Sequence, residues 1–284
     1  MFGDEKKNNI ILEMNKKKIK SKYQKNILKY LEMNFELFPY IDTEIIIERI
    51  LNNFAGVSLN FSSIFYHDYG QYIPTTGKIL LSPNLFFGKN RKLIESVFYH
   101  ELDHCACAPV NLKQKFDSYK NDIKNKYKFF YKIMPDFILS EIFLKIYYEG
   151  PISGVANLKQ KKGHAIQKLL YGTKLENYLN EGITSLKQKI YSEKLNIAFH
   201  KKNDFLYGVR LGAQCVADTI GFDNMINCHF FNNLEKIKKD FFKKTEIKLE
   251  ELILKCIIYD QKRTKKTLKD LKKFIEIVNK KVNI

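Results

Sequence analysis

The chain has 284 residues, 45% of them hydrophobic, with 22 Phe and 17 Tyr; this is enough apolar side chain for a sizeable core and excludes a disordered chain. No run approaches the roughly 18 apolar residues of a membrane span, and Met1 to Asn9 lack the apolar stretch of a secretory signal, so a cytoplasmic location is expected, leaderless export aside. A formal charge of +18 suggests an acidic partner, but only four of 49 basic residues are Arg (Arg49, Arg91, Arg210, Arg263), the type that base and phosphate readers favour, and the Lys, Asn, Ile, Tyr and Phe usage fits an AT-rich genome, which argues against specific nucleic-acid binding.

In chain order, residues 1–25 read as a basic arm, either frayed or a solvated helix. Ile27, Leu28, Leu31, Phe35 and Phe38 form a helical stripe over 26–38, closed by Pro39. Thr43 caps a second helix with Ile45 to Phe54 as its body, and Gly56 suits a left-handed stop. Strands are expected over Val57–Phe61, Ser63–His67 and Lys78–Ser82, with Ile79–Leu81 as the exposed edge able to pair with an extended peptide. A helix then runs to Pro109, an exposed helix spans 111–131, and an apolar one spans 137–148. Gly150 to Gly154 is the clearest break, placing a hinge between a lobe over 26–149 and a mostly helical lobe over 150–284.

The chemistry centres on His100-Glu101-Leu102-Asp103-His104. Residues four apart stack on one helix face, so His100 and His104 can hold one metal ion, while Glu101 lies about a third of a turn away, placed to act on a metal-bound water. Leu93, Ile94, Val97 and Phe98 make that helix apolar where it would be buried. Cys105 and Cys107 face different directions and read as buried small residues rather than ligands; five scattered cysteines point to a reducing compartment. His67, His164 and His229 show no ligand spacing, and Asp103 either hydrogen-bonds behind the helix or faces solvent.

A catalytic zinc site needs a third protein ligand. A metzincin would place His at 110 and Gly at 107; this chain has Val110 and Cys107, which excludes that class. The alternative is a Glu on a second helix, which Leu175 to Leu186 supplies as Glu181, with Tyr178, Thr184 and Ser185 on its face and Gly182 allowing the two helices close approach. Glu141, Glu176 and Asp218 are the fallback acids.

His100-Glu-Leu-Asp-His104 followed by Asn180-Glu-Gly-Ile-Thr184 resembles the gluzincin type of metallopeptidase, and more narrowly the zincin-like proteins of low-GC bacteria; the likeness extends weakly to Val216–Met225. The resemblance implies an α+β, mainly helical zincin-like fold: a small N-terminal sheet, the His-pair helix, and a helical C-terminal lobe carrying the third ligand. It implies His100, His104 and Glu181 as ligands of one Zn2+ per chain and Glu101 as the base. The chain departs from the family at Ser185, where an acid would orient a ligand His; a serine can accept that hydrogen bond only weakly.

The expected function is therefore zinc-dependent hydrolysis of peptide bonds in a peptide or protein substrate, with Tyr178 and His200 as candidate donors to the oxyanion. The alternative is a catalytically weak or inactive zincin scaffold that binds an acidic partner or nucleic acid.

Overall fold

The computed structural model describes residues 3–60, 69–110, 112–134, 139–140, 142–143, 175–199, 206–231 and 233–282. The chain is mainly helical with one small sheet. Helix α1 (Asp4–Lys16) lies where the basic arm was expected. It is neither frayed nor wholly solvated, because Ile10 and Met14, one turn apart, are buried in the main core. Helix α2 (Ser21–Leu37) starts earlier than the apolar stripe indicates, and α3 (Thr43–Asn53) is capped by Asp42, whose carboxylate accepts from the Glu44 amide, rather than by Thr43. Gly56, at φ +133, opens a strand instead of closing a helix.

Strands β1 (Gly56–Leu59), β2 (Gly70–Ile73) and β3 (Lys78–Leu81) form a sheet in the order β1-β3-β2, with β1 parallel and β2 antiparallel to β3. The segment Ile79–Leu81 is thus central, not the edge: β1 and β2 are bonded to it on its two sides. The strand expected over 63–67 lies outside the described residues.

Two 3-10 turns, Pro83–Phe86 and Gly88–Leu93, lead into α4 (Ile94–Cys107). Helices α5 (Leu112–Lys126) and α6 (Lys128–Ile133) follow, with Leu112, Phe116, Leu139 and Phe143 forming a small satellite core. The C-terminal part is all helix: α7 (Leu175–Leu195), α8 (Tyr207–Ile220), α9 (Phe222–Phe230), α10 (Leu234–Thr245), α11 (Leu249–Lys262) and α12 (Lys265–Val282). The proposed hinge at 150–154 lies outside the described residues. One apolar cluster nevertheless runs from Ile10 to Val278, so the two expected lobes share a core. At its centre α4 packs against α3, β2 and α7. Among the described residues no helix is long and apolar enough to cross a membrane.

Candidate metal centre

Every residue of α4 from Ser96 to Cys107 is buried. Apolar neighbours on all sides explain the enclosure of Val97, Phe98 and Leu102, but four ionisable residues, His100, Glu101, Asp103 and His104, are enclosed with them. Buried polar groups persist where partners satisfy them. The helix begins with Glu95 in its first turn, held by Lys29 (2.7 Å) and Tyr99 (2.8 Å), and ends at Ala108, before Pro109.

Helix α7 supplies the main partner. Glu181 Oε2 lies 3.2 Å from His100 Nε2, Glu181 Oε1 lies 3.3 Å from His104 Nε2, and the two Nε2 atoms are 3.3 Å apart. Four ligands tetrahedrally placed at about 2.0–2.1 Å from zinc sit about 3.3–3.4 Å from one another. The two nitrogens are at the spacing of one edge of a tetrahedral zinc site, each lies at a similar distance from a different oxygen of the one carboxylate, and both donor types are ones zinc accepts. Two imidazole nitrogens at this separation otherwise need a shared proton between them or with the carboxylate.

The electrostatics agree. Burial pushes Glu181 up, but His104 and His100 outweigh it and hold the carboxyl well below the usual range. Burial pulls His104 down, but the Glu181 charge outweighs it and raises the imidazole above its ordinary 6.5. His100 and Glu181 retain 7% and 6% exposure against 2% for His104, so the cluster opens on the His100 and Glu181 side.

The support around the triangle differs from the expected pattern. Ser185 does not hold a ligand histidine: it accepts from Arg210 Nη1 (3.0 Å), whose guanidinium lies over the Phe199 and Tyr207 rings. The partner of His100 Nδ1 is Gln188 Oε1 at 3.2 Å, two turns after Glu181. An amide oxygen accepts only, so this contact favours a proton on His100 Nδ1, the tautomer that would leave Nε2 free to ligate a metal ion. His104 Nδ1 is buried with no hydrogen-bond partner among the described residues.

Glu101 stands outside the triangle, on the side of α4 that faces β2. A Cβ placed on Gly70 would come within 2.9 Å of Glu101 Oε1 and 2.7 Å of Val97 Cγ1. Glycine at 70 thus lets β2 lie directly beside the carboxylate. Gly182 has a comparable role, though not the expected one: the close approach it permits is of α7 to α8, where Val209 O would be 2.4 Å from an added Cβ, and not of α7 to α4.

Asp103 points away from solvent. Its Oδ1 accepts from the Tyr30 hydroxyl (2.7 Å) and forms a short ion pair with Lys187; its Oδ2 accepts from Thr184 (3.3 Å) and lies 3.3 Å from His229 Nε2. Burial raises Asp103, but Lys187 and His229 override it and keep the carboxyl far below its usual value.

The structure thus brings together His100, His104 and Glu181, with Glu101 alongside on α4. Tyr178, three residues before Glu181 and close enough to feel its charge, packs among Val209, Gly212, Leu252, Ile253 and Cys256 at the α8 and α11 contact. Asp218 is exposed and accepts from Gln214. His200, Glu141 and the Glu176 side chain lie outside the described residues. Gln188 and Lys187 escaped the sequence reading, and His229, read there as showing no ligand spacing, is wholly buried against Asp103. The signal that marks Lys187 is a polar stripe on α7, with Asn180, Thr184, Lys187 and Tyr191 at helical spacing.

Among known proteins, no family model matches the chain, no curated protein matches its sequence and no solved structure matches its fold.

Proposed function

We propose that this protein is a metal-dependent hydrolase of the gluzincin type, acting on peptide bonds, with His100, His104 and Glu181 as zinc ligands and Glu101 as the general base. The observation that carries the reading is the buried triangle of two imidazole nitrogens and a carboxylate with edges of 3.2–3.3 Å. A bound Zn2+ supplies a Lewis acid for the substrate carbonyl and an acidic coordinated water, of pKa about 7.

The chain's own residues do the rest. Gln188 keeps His100 in the tautomer that donates its Nε2 lone pair. Glu101, confined between Val97 and β2, takes a proton from the attacking water and returns it to the leaving amine. A peptide is the substrate class implied by the resemblance of His100-Glu-Leu-Asp-His104 and Glu181 to the gluzincin motifs.

The test has two parts. Metal analysis of purified protein should give one zinc per chain, lost in Glu181→Ala. Glu101→Gln should keep the zinc and stop cleavage of a mixed peptide library scored by mass spectrometry. Zinc bound equally well by Glu181→Ala removes the ligand set; cleavage surviving Glu101→Gln removes the base.

A further inference from the structure

A second set of donors lies on the next face of α4 and shares no residue with the triangle. Asp103 Oδ2, Thr184 Oγ1 and His229 Nε2 are separated by 3.3, 3.3 and 3.4 Å. Cys107 completes the set: one ligand atom from each of Asp103, Cys107 and His229 lies within 4.8 Å of the other two. All four side chains are at 0% exposure. The oxygen and nitrogen donors are at the spacing of tetrahedral metal ligands, and with the nearby thiol they make a cage of donors that a transition metal accepts.

The cage already faces a positive charge. Lys187 on α7 is wholly buried, pairs with Asp103 Oδ1, and holds its ammonium 3.9 Å from the Phe230 ring centre, with the Phe38 and Tyr191 rings at 5.2 and 5.7 Å. Ring faces attract an ammonium at such distances, and the carboxylate balances its charge.

We propose that the Lys187 ammonium is the resident cation of this cage, standing in for a divalent metal, so that metal entering the chain has a single destination at the triangle. The charges explain the exclusion. Burial keeps His229 neutral, and burial together with Asp103 keeps Cys107 a thiol. Asp103 and Lys187 then sum to zero, and a divalent ion added beside them would leave an uncompensated buried excess. Without the ammonium the cage carries one negative charge. When Cys107 yields its thiol proton to solvent and binds a metal, it carries two, which a divalent ion cancels.

Cobalt titration of metal-stripped protein tests this, because a cysteine thiolate on Co2+ adds a near-ultraviolet charge-transfer band that the sulfur-free triangle cannot give. Wild type should bind one equivalent without the band. Lys187→Met, which keeps the stem and removes the charge, should bind a second equivalent with the band, and adding Cys107→Ser should abolish it. Should Lys187→Met be unfolded when stripped, refolding with excess Co2+ should recover folded protein bearing the band. The proposal is overturned by the band in wild type, by a folded Lys187→Met lacking it, or by a Lys187→Met that stays unfolded with Co2+. Lys187→Met combined with Glu181→Ala should keep the band, which separates this cage from the fate of the triangle.

Discussion

Replacing Gly182 with Ala tests how tightly the third ligand is positioned. The new Cβ would meet Val209 O at 2.4 Å, Val209 C at 2.9 Å and Ala213 Cβ at 3.3 Å, and the first two are backbone atoms that cannot swing aside. Relief to 3.4 Å, where ordinary contact begins, requires α7 and α8 to part by about 1 Å (3.4 minus 2.4). Overpacking of this kind costs about 1–3 kcal/mol, and the better helix propensity of Ala returns about 0.5–1 kcal/mol. A net loss of about 1–2 kcal/mol lowers Tm by roughly 2–8 °C for a chain of this size. Glu181 is the adjacent residue, and metal geometries tolerate only about 0.2 Å, so affinity should fall by about tenfold or more. Thermal melts in chelator and competition with a chromogenic chelator measure the two effects. Lys189→Ala, an exposed change on the same helix, should alter neither. A Gly182→Ala protein that melts and binds like wild type would refute the positioning argument.

Gln188→Ala should lower metal affinity by about 10–100-fold with little change in fold, since it frees His100 to change tautomer; unchanged affinity in a chelator competition would remove Gln188 from the site. Gly70→Ala should keep the metal and reduce peptide cleavage, because its Cβ displaces Glu101 Oε1 from 2.9 Å without touching a ligand; loss of metal would show that the strand supports the triangle instead. Proton and metal compete for His104, whose folded pKa lies above 6.5 because the Glu181 charge outweighs burial. Metal affinity should therefore rise with pH, by about tenfold per unit, until that pKa is passed, and level off above it. In the metal-free protein the signs differ by group. The His104 contribution to stability is full below 6.5 and lost as pH rises through its folded pKa. The Glu181 contribution is full above 4.5 and lost only as pH falls through its depressed folded pKa. A metal affinity independent of pH between about 6 and 8 would contradict the coupling.

The histidine pair was legible because its geometry is local: a four-residue spacing on one helix fixes both rings whatever the rest of the chain does. Glu181 was reachable because a ligand set lacking one carboxylate restricts the choices. The partners of Asp103 were not, because Lys187 and His229 meet it across 84 and 126 residues, and no periodicity reports such distant pairing. The sheet edge was misread for a related reason. Strand order is not chain order here: β3 sits between β1 and β2, and the short Gly-led β2 carries little strand signal of its own. At the N-terminus the density of Lys hid Ile10 and Met14, although their four-residue spacing marks a buried face.

The charges gathered on α4 connect the two donor sets. Two carboxylates buried at this helix have described partners, Asp103 and Glu181, and one buried ammonium, Lys187, lies among them. With neutral imidazoles these three groups sum to one negative charge, left at Glu181. A carboxylate this dry is held by a partner that offers it positive charge. Lys187 answers Asp103, and a proton shared between His104 and Glu181 answers part of the remainder, which is why His104 is raised and Glu181 lowered in the metal-free chain. A divalent ion at the triangle, where we propose one, would displace that proton and supply the positive charge in its place. The same helix thus has one polar face closed by a cation of the chain itself, and another where the proposed metal would supply the charge.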